Sequence, residues 1–464
     1  MAKELSIEKT NIPGLLVVHL PVHGDARGWF KENWQREKMV ALGLPDFNPV
    51  QNNVSYNAKR GATRGIHTEP WDKFVSISNG SVFAAWVDMR QGNSPEVFTI
   101  TMGPNIAVFV PRGVGNSYQA LEDNTVYSYL VNEHWSPDKK YLAMHLADPT
   151  VNIPWPIPID QAELSEKDKN LPFLSKAGTM PDKKILITGG NGQLGNALKQ
   201  YFPTAEYVDL AEFNISDPAE YVAKDWSKYK AIINAAAYTN VDGAETPDGR
   251  IISWQANAVA LSLMAKTAQE YNLTVIHVSS DYVFDGTNVP HIEDEPFSPL
   301  SVYGASKAAG DIAIATIRKH YILRTSWVVG KGKNFVKTMK ELAEKGVKPS
   351  VVNDQFGRLT FAEDLAGAIH HLFSTNQAYG TYNFTNNGDV VSWADIAKLV
   401  YEKTGHNPND VSGVSTAEYY AGKDSIAPRP LLSELNLAKI TNSGFTPRDW
   451  QTAFNEYIKE LNDY

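Results

Sequence analysis

The rhythm of the hydrophobic residues changes once along this chain, near Lys183, and one core cannot serve both rhythms. Before that point the apolar residues come in short runs rich in Val, Phe and Tyr: LLVVHL (15–20), VQNNVSYN (50–57), KFVSIS (73–78), SVFAAWVDM (81–89), VFTITM (97–102), AVFVP (107–111) and TVYSYLV (125–131). Such runs are strands, and Asn79-Gly80 between two of them is a hairpin signal. Pro104-Asn105 and Pro111-Arg112-Gly113 punctuate others. Many short strands at regular spacing imply an all-β sandwich or jelly roll. After Lys183 the runs KILITG, AIINAAA (231–237), TVIHVSS (274–280) and YILRTSW (321–327) are continuously apolar, which suits a parallel sheet covered on both faces. Amphipathic stretches of helical length, such as 254–271 and 304–319, separate them, so the second half reads as a doubly wound α/β fold. The polar run KDKNLPFLSKAGTMPDK lies between the halves. The expected division is a β domain over 1–175, a linker over 176–182 and an α/β domain over 183–464.

Composition narrows the partners. The chain has 464 residues, enough for two to four domains. Its net charge of −9 divides as −2 over residues 1–180 (17 basic, 19 acidic) and −7 over the rest (26 basic, 33 acidic). Neither half has the basic excess of a phosphate-backbone binder, so no nucleic-acid partner is expected. Cysteine is absent, which removes disulfides, thiolate nucleophiles and Cys-ligated metals. The first twenty residues do not read as a signal peptide, and no stretch reaches the length of a membrane span. No membrane association and a cytoplasmic location are expected.

In the second half, KILITG opens into GGNGQLG and then NALKQYF. Gly189, Gly192 and Gly195 have the spacing of a turn that approaches a pyrophosphate, followed by a helix whose free N–H groups favour anions. Asp209 ends the next apolar strand, where an acid takes ribose hydroxyls or is simply a solvated strand end. YGASK places Tyr303 and Lys307 one helical turn apart, about 110 residues after the glycine turn and following SSDYVFDG at a strand end. An ammonium near the phenol would bring it toward a working pKa, and Ser280 could hold the reacting oxygen. The alternative is two surface residues on a solvated helix.

ITGGNGQLG, INAAAYTNVDGAE, VSSDYVFDG, YGASKAAGD, ILRTSWVVG, VVNDQFGRLT and APRP occur in the order found in the dTDP-4-dehydrorhamnose reductase family, which residues 183–462 resemble. The resemblance implies an extended short-chain dehydrogenase/reductase with a Rossmann-type domain and a C-terminal substrate-binding part. It implies reduction of a nucleotide-sugar 4-ketone with NADPH or NADH, Asp209 leaning toward NADH. Ser280, Tyr303 and Lys307 match the catalytic triad. Gly189, Gly192, Gln193, Leu194 and Gly195 match the pyrophosphate turn, and Ala235, Ala237 and Tyr238 the next cofactor strand. Asp281, Tyr282 and Trp327 resemble sugar-site positions. Some members bridge subunits through magnesium with a glutamate just after the glycine turn; Ala197 stands there, so no metal is expected.

The first half is anchored on TRGIH, with Arg64 and His67 in a strand-like segment. No second histidine stands at H-x-H spacing with His67, against a metal-binding site. Arg27 in DARGWF, Gln51 and Asn53 alternating along one strand, Lys73 opening an apolar strand and Tyr129 inside TVYSYLV are polar groups in unusual settings. Residues i and i+2 share a strand face, so these can point into a barrel mouth.

DARGWF, VQNNVS, GATRGIH, YSYLVNEHWSP, ADPTVNIPWP and LSEKD resemble the dTDP-4-dehydrorhamnose 3,5-epimerase family, over about 5–175. The implied fold is a cupin-type jelly roll, and the implied base is His67, oriented by Asp168, with Tyr129 as the acid on the opposite sugar face. Arg64 and Lys73 match cationic positions near ketone and phosphates; Arg27, Gln51 and Asn53 fall among the substrate positions. Two departures stand out. Asn116 occupies a position where the family commonly has a second histidine, and HTEPWDK makes the segment from His67 to Lys73 compact.

Together the resemblances imply a bifunctional enzyme that epimerises and then reduces a nucleotide-linked 4-keto-6-deoxy sugar, dTDP-4-keto-6-deoxyglucose, to the L-rhamnose form. A homodimer through the first half goes with the epimerase resemblance. Two readings stay open beside it: a non-catalytic dinucleotide-binding regulatory protein, and an epimerase–reductase for another sugar that inverts a single carbon. Thymidine and uridine nucleotides are not distinguished.

Overall fold

The computed structural model describes residues 4–136, 138 and 140–462. The chain divides into two units, Met1–Asp182 and Lys183–Tyr464.

The first unit is built from β1 (Ser6–Lys9), β2 (Leu16–His19), a hairpin of β3 (His23–Asp25) and β4 (Gly28–Phe30), helix α1 (Arg36–Ala41), and strands β5 (Gln51–Asn57), β6 (Thr63–Thr68), β7 (Lys73–Asn79), β8 (Val82–Asp88), β9 (Val97–Met102), β10 (Ile106–Val110), β11 (Val114–Ala120), β12 (Thr125–Val131) and β13 (Leu142–Ala143). They form two antiparallel sheets, in the orders β1-β2-β10-β7-β12-β5 and β13-β6-β11-β8-β9. Val17, Val75, Ile77 and Val108 of the first sheet and Val82, Ala84, Trp86 and Val114 of the second close one core between them. The outer face of the first sheet is covered by Met39, Leu44 and Phe47, and that of the second by Met144, Leu146, Val151 and Ile153. This is the jelly roll expected of the short strand runs.

Two segments differ from the sequence reading. β11 is not among the runs that read as strands, yet all seven of its residues are buried. It pairs on both edges, and its polar side chains are satisfied internally: Ser117 donates to the Ala85 carbonyl (2.8 Å) and Gln119 to Thr63 Oγ1 (3.0 Å) and the Ile157 carbonyl (2.9 Å). The segment expected to be a linker is also structured. After α2 (Glu166–Lys169) and α3 (Leu174–Ala177), the Met180 N–H donates to the Met89 carbonyl (2.7 Å), and Arg112 holds the Pro181 carbonyl (2.6 Å). Ala177 and Met180 are buried, and these two apolar residues dock a run that otherwise reads as polar onto the β unit.

The second unit alternates β14 (Lys184–Thr188), α4 (Gln193–Tyr201), β15 (Glu206–Val208), α5 (Pro218–Ala223), β16 (Tyr229–Asn234), α6 (Pro247–Trp254), α7 (Ala260–Tyr271), β17 (Thr274–Ser280), α8 (Val302–Ala315) and β18 (His320–Thr325). Its parallel sheet has the order β15-β14-β16-β17-β18, with Gly380–Asn383 at the far edge. One face is covered by α4 and helix Ala362–Ser374, the other by α5, α7 and α8. Strand order reverses at β14, and ligands of such sheets bind at that crevice beyond the strand ends. A further core, formed by helices Phe335–Glu344, Trp393–Lys403 and Trp450–Asn462, makes a C-terminal part. The helix expected over 254–271 begins earlier, at Pro247, capped by Thr246, and passes through a π-turn at Gln255–Val259. That expected over 304–319 ends at Ala315, because β18 opens at His320.

Candidate active sites

In the first unit the interior is lined from both sheets. On β5, β7 and β12 the cross-strand partners are Gln51 with Val131, Asn53 with Tyr129, and Val131 with Lys73, so Gln51, Asn53, Lys73 and Tyr129 share the inner face. On β6, Arg64 and His67 are three residues apart, and simple alternation would put them on opposite faces. A bulge resolves this: their partners on β11 are Tyr118 and Asn116, which are two apart, so both side chains enter the same interior.

His67 Nε2 lies 3.1 Å from Asp168 Oδ1. Burial works to raise the Asp168 carboxyl, but His67, Ser165 and the Gly65 N–H outweigh it and hold the carboxyl below its usual range. With Nε2 engaged there, Nδ1 is the ring nitrogen left to take a proton. Tyr129 is pushed up to about 12, first by burial and then by the charge of Glu69, with Arg64 opposing; it therefore keeps its proton at neutral pH. Lys73 Nζ sits 5.6 Å from the Tyr129 ring centre and 2.5 Å from Glu69. Asn116 accepts from the Tyr127 hydroxyl (3.0 Å), and Tyr118 stacks on Tyr127 at 4.0 Å. Arg64 Nε donates to Asn57 (3.1 Å). Gln51 and Asn53 hydrogen-bond to each other (2.7 Å).

Arg27 is the exception among the expected residues. It stands on the β3–β4 hairpin, its side chain is 91% exposed, and its guanidinium is spent on Asp25 two residues away (2.5 Å). Nothing brings it to the interior of its own barrel. Glu69, Asn57, Tyr118 and Tyr127 were not anticipated; Glu69 and Lys73, four apart, were the one legible pair among them.

In the second unit a cleft of about 1040 Å³ opens above the strand ends. Gly189, Gly192, Gln193, Leu194, Asp209, Ala235, Ala237, Tyr238, Ser280, Asp281, Tyr282, Tyr303, Lys307 and Trp327 all line it. Gly195 does not; its role is closeness. A Cβ on Gly195 would fall inside contact distance of the Gly189 carbonyl oxygen, while Gly189 itself holds a left-handed φ of +71°. α4 starts at Gly192 with no side-chain cap, so its first N–H groups stay free for an anion. Gln193 Oε1 is buried without a partner. A capless helix start, an uncluttered turn and an orphaned amide oxygen in one cleft fit a dinucleotide. Asp209 is partly committed already: its carboxylate accepts from the Asn191 and Leu210 N–H groups (both 3.0 Å).

Asn257, in the π-turn, clamps the Tyr238 backbone (2.9 and 3.0 Å) and reaches Ser306 (3.1 Å), tying the cofactor strand to α8. Ser280 donates to Asp281 (3.0 Å) and caps the Tyr282 N–H (3.1 Å). Burial raises Asp281 to about 6, against the Ser433 and Ser280 hydroxyls. Tyr282 meets Tyr303 edge-on at 5.7 Å, and Trp327, at φ +50°, stacks on Trp393 at 3.8 Å.

Tyr303 and Lys307 are not surface residues; Lys307 is 2% exposed. The expected lowering of the phenol does not occur in this arrangement. Burial pushes Tyr303 up to about 12, the Ser280 hydroxyl opposing and Asp281 and Asp311 adding. Lys307 is pushed down to about 8 by burial, Asp311 opposing, and its ammonium goes to the Val278 carbonyl (2.7 Å). Lys331, Lys333 and Trp393 also line the cleft and were not anticipated, nor was the Asp242–Arg429 pair at 2.8 Å. Lys331-Gly-Lys333 directly after the VVG segment was the signal for the two lysines, and Asp242 and Arg429 lie in the motifs INAAAYTNVDGAE and APRP without having been singled out.

Among the described residues no group of three or more His, Asp or Glu is placed to hold a metal, and no helix is long and apolar enough to cross a membrane.

Comparison with known proteins matches each unit separately. Residues 183–463 match the family described as RmlD substrate binding domain, and residues 9–176 the family described as dTDP-4-dehydrorhamnose 3,5-epimerase. The Streptococcus pyogenes protein named RmlC homolog is 44% identical over 38% of this chain and 93% of its own. The dTDP-4-dehydrorhamnose reductase of Aggregatibacter actinomycetemcomitans is 37% identical over 58% of this chain and 96% of its own. A crystal structure of the Bacillus anthracis dTDP-4-dehydrorhamnose reductase in complex with NADP is 33% identical, with a TM-score of 0.56 over 60% of this chain and 99% of that one. The chain thus belongs to two families joined end to end, the dTDP-4-dehydrorhamnose 3,5-epimerases in its first unit and the RmlD family of reductases in its second.

Proposed function

We propose that the chain is a bifunctional nucleotide-sugar enzyme that converts dTDP-4-keto-6-deoxyglucose to dTDP-L-rhamnose, by 3,5-epimerisation in the first unit and NAD(P)H-dependent reduction of the 4-ketone in the second. The observation that carries this reading is the pairing, in one chain, of a His67–Asp168 pair and a buried Tyr129 in the first unit with Ser280, Tyr303 and Lys307 lining one cleft with the glycine turn in the second.

In the first unit the 4-ketone acidifies the hydrogens on carbons 3 and 5. His67 Nδ1 removes one from one face of the ring, and the Tyr129 hydroxyl returns a proton on the other. Asp168 holds the imidazole and stabilises its charged form. Lys73 and Arg64 are the cations available to the enolate oxygen and the phosphates. In the second unit the glycine turn from Gly189 to Gly195, with Gln193, Leu194, Ala235, Ala237 and Tyr238, would hold the dinucleotide, and Asp209 would be the carboxylate available to its ribose hydroxyls. A reduced nicotinamide, when bound, supplies the hydride for carbon 4. Tyr303 delivers the proton to the ketone oxygen, and its high pKa keeps that proton in place until it is needed. Ser280 holds the same oxygen, and Asp281, Tyr282 and Trp327 contact the sugar.

A second reading concerns stoichiometry. Asn116 stands opposite His67 on β11, and its carbonyl oxygen is used by Tyr127. A carboxamide in that place cannot relay a proton as an imidazole does, which favours inversion at one carbon only. The reading extends to a cytoplasmic homodimer formed through the first unit: the outward face of edge strand β5 exposes Val54 and Tyr56, and the hairpin that carries the outward-turned Arg27–Asp25 pair exposes Trp29 and Phe30.

The test is incubation of the full chain with dTDP-4-keto-6-deoxyglucose and NADPH or NADH. Cofactor oxidation that depends on the sugar, with a product that co-elutes with dTDP-L-rhamnose, supports the reading. Cofactor binding without turnover would overturn it.

A further inference from the structure

Beneath the reductase cleft a chain of fully buried polar groups crosses the sheet, and the reaction as described does not use it. Thr188 Oγ1 donates to Asn234 Oδ1 (2.6 Å), and Asn234 Nδ2 lies 3.0 Å from His277 Nδ1. His277 Nε2 lies 3.4 Å from Lys307 Nζ and 3.8 Å from Asp311 Oδ1. Asp311 Oδ2 accepts from Arg324 Nε (2.9 Å), whose other end holds the Glu293 carbonyl (2.8 Å). His277 is 0% exposed and does not line the cleft; Lys307 does. Whatever His277 does for the reaction, it does through Lys307.

Chemistry limits the arrangement. Burial holds the His277 imidazole neutral, far below its usual pKa, with the Lys307 charge acting the same way. A neutral imidazole offers one donor and one acceptor. Were Nε2 protonated, it would face the Lys307 ammonium donor to donor at 3.4 Å. In the structure the Asn234 amide nitrogen faces the ring; were Nδ1 protonated, the carboxamide would be turned over, its oxygen accepting from Nδ1 and its nitrogen donating to Thr188 Oγ1, which accepts as readily as it donates. Nε2 then presents its lone pair to the ammonium.

We propose that His277 is a positioning residue of the reductase, accepting a hydrogen bond from the Lys307 ammonium through an unprotonated Nε2 and so keeping Lys307 charged and fixed at the cleft. Two of the three ammonium N–H bonds are pinned, on His277 and on the Val278 carbonyl, and the third is left for the cleft. The other groups facing Lys307 are few. Tyr303 and Asp311 lie on its own helix, Arg324 reaches it only through Asp311, and Asp281 and Tyr282 act on Tyr303. The packed helices α6 and α7 keep Asp248, Arg250, Lys266 and Glu270 exposed. Asp311 Oδ1, without a hydrogen-bond partner, is the competing claimant on an Nε2–H.

This inference rests on the reductase reading, and two measurements separate their failures. In the full chain with NADPH bound, ring-nitrogen NMR of histidine-labelled protein identifies the tautomer, His277 being assigned from the signal lost in His277→Gln. Unprotonated Nε2 is expected; a protonated Nε2 means the ring serves Asp311 and overturns the proposal. The pH profile of kcat for ketone reduction is then compared among wild type, His277→Phe and His277→Gln. Loss of the acceptor in His277→Phe is expected to move the alkaline limb about one pH unit lower, and His277→Gln, whose carboxamide oxygen still accepts, to return most of the way. An unmoved limb in a folded His277→Phe also overturns the proposal. If the wild type reduces nothing, the reductase reading fails and the tautomer alone decides this one.

Discussion

Tyr129 and Tyr303, in different folds, share one property: burial pushes the pKa of each phenol up to about 12. Tyr303→Phe is expected to lower ketone reduction by about 10²–10⁴-fold while leaving exchange of the sugar's carbon-bound hydrogens with solvent intact. His67→Gln is expected to do the reverse, abolishing exchange and sparing reduction of an already epimerised 4-keto sugar. Asp168→Asn should cost less than His67→Gln, since it orients the base without being it. Lys307 gives a pH dependence of definite sign. Its pKa of about 8 lies below the 10.5 of an ordinary lysine. Reduction that needs its charge is complete below that value and falls as pH rises through it. The same lowering means that charged, buried Lys307 costs stability, a cost relieved as pH rises from 8 towards 10.5, where the unfolded chain still holds the proton and the folded one does not. Lys307→Met should accordingly abolish reduction without lowering the melting temperature.

At the scale of elements, the glycine turn and the β6 bulge carry the sites. Gly195→Val is expected to weaken NADPH binding about 100-fold or more by driving α4 away from the Gly189 carbonyl, as isothermal titration with the full chain would measure. The turn was legible in the sequence because its constraint is local: a strand, three glycines and a helix start lie within a dozen residues. The bulge was not, because bringing Arg64 and His67 to one face depends on their partners on β11, fifty residues away. β11 itself escaped notice since Asn116, Ser117 and Gln119 are polar and are satisfied by tertiary partners that no local pattern reveals. The same holds for Arg27: its motif marked it as important, and only the hairpin geometry shows that it turns outward. Met180 misled in the other direction, two apolar residues sufficing to dock a run that looked like linker.

For the whole molecule, the change of hydrophobic rhythm near Lys183 and the division of the structure after Asp182 fall together. Each unit closes its own hydrophobic cores, so residues 1–182 and 183–464 expressed separately are expected to fold, and mixing them should restore both reactions, with the intermediate released into solution. Tethering then acts through local concentration alone. The most direct measurement of the account runs the full chain on dTDP-4-keto-6-deoxyglucose with excess unlabelled NADPH in heavy water, and weighs the reduced sugar after its hydroxyls are back-exchanged. The account expects reduced product carrying carbon-bound deuterium from His67 and Tyr129 chemistry: two atoms if both carbons invert, one if Asn116 restricts the barrel to a single inversion. Reduced sugar with no carbon-bound deuterium above an enzyme-free control, or no reduced sugar at all, would contradict it.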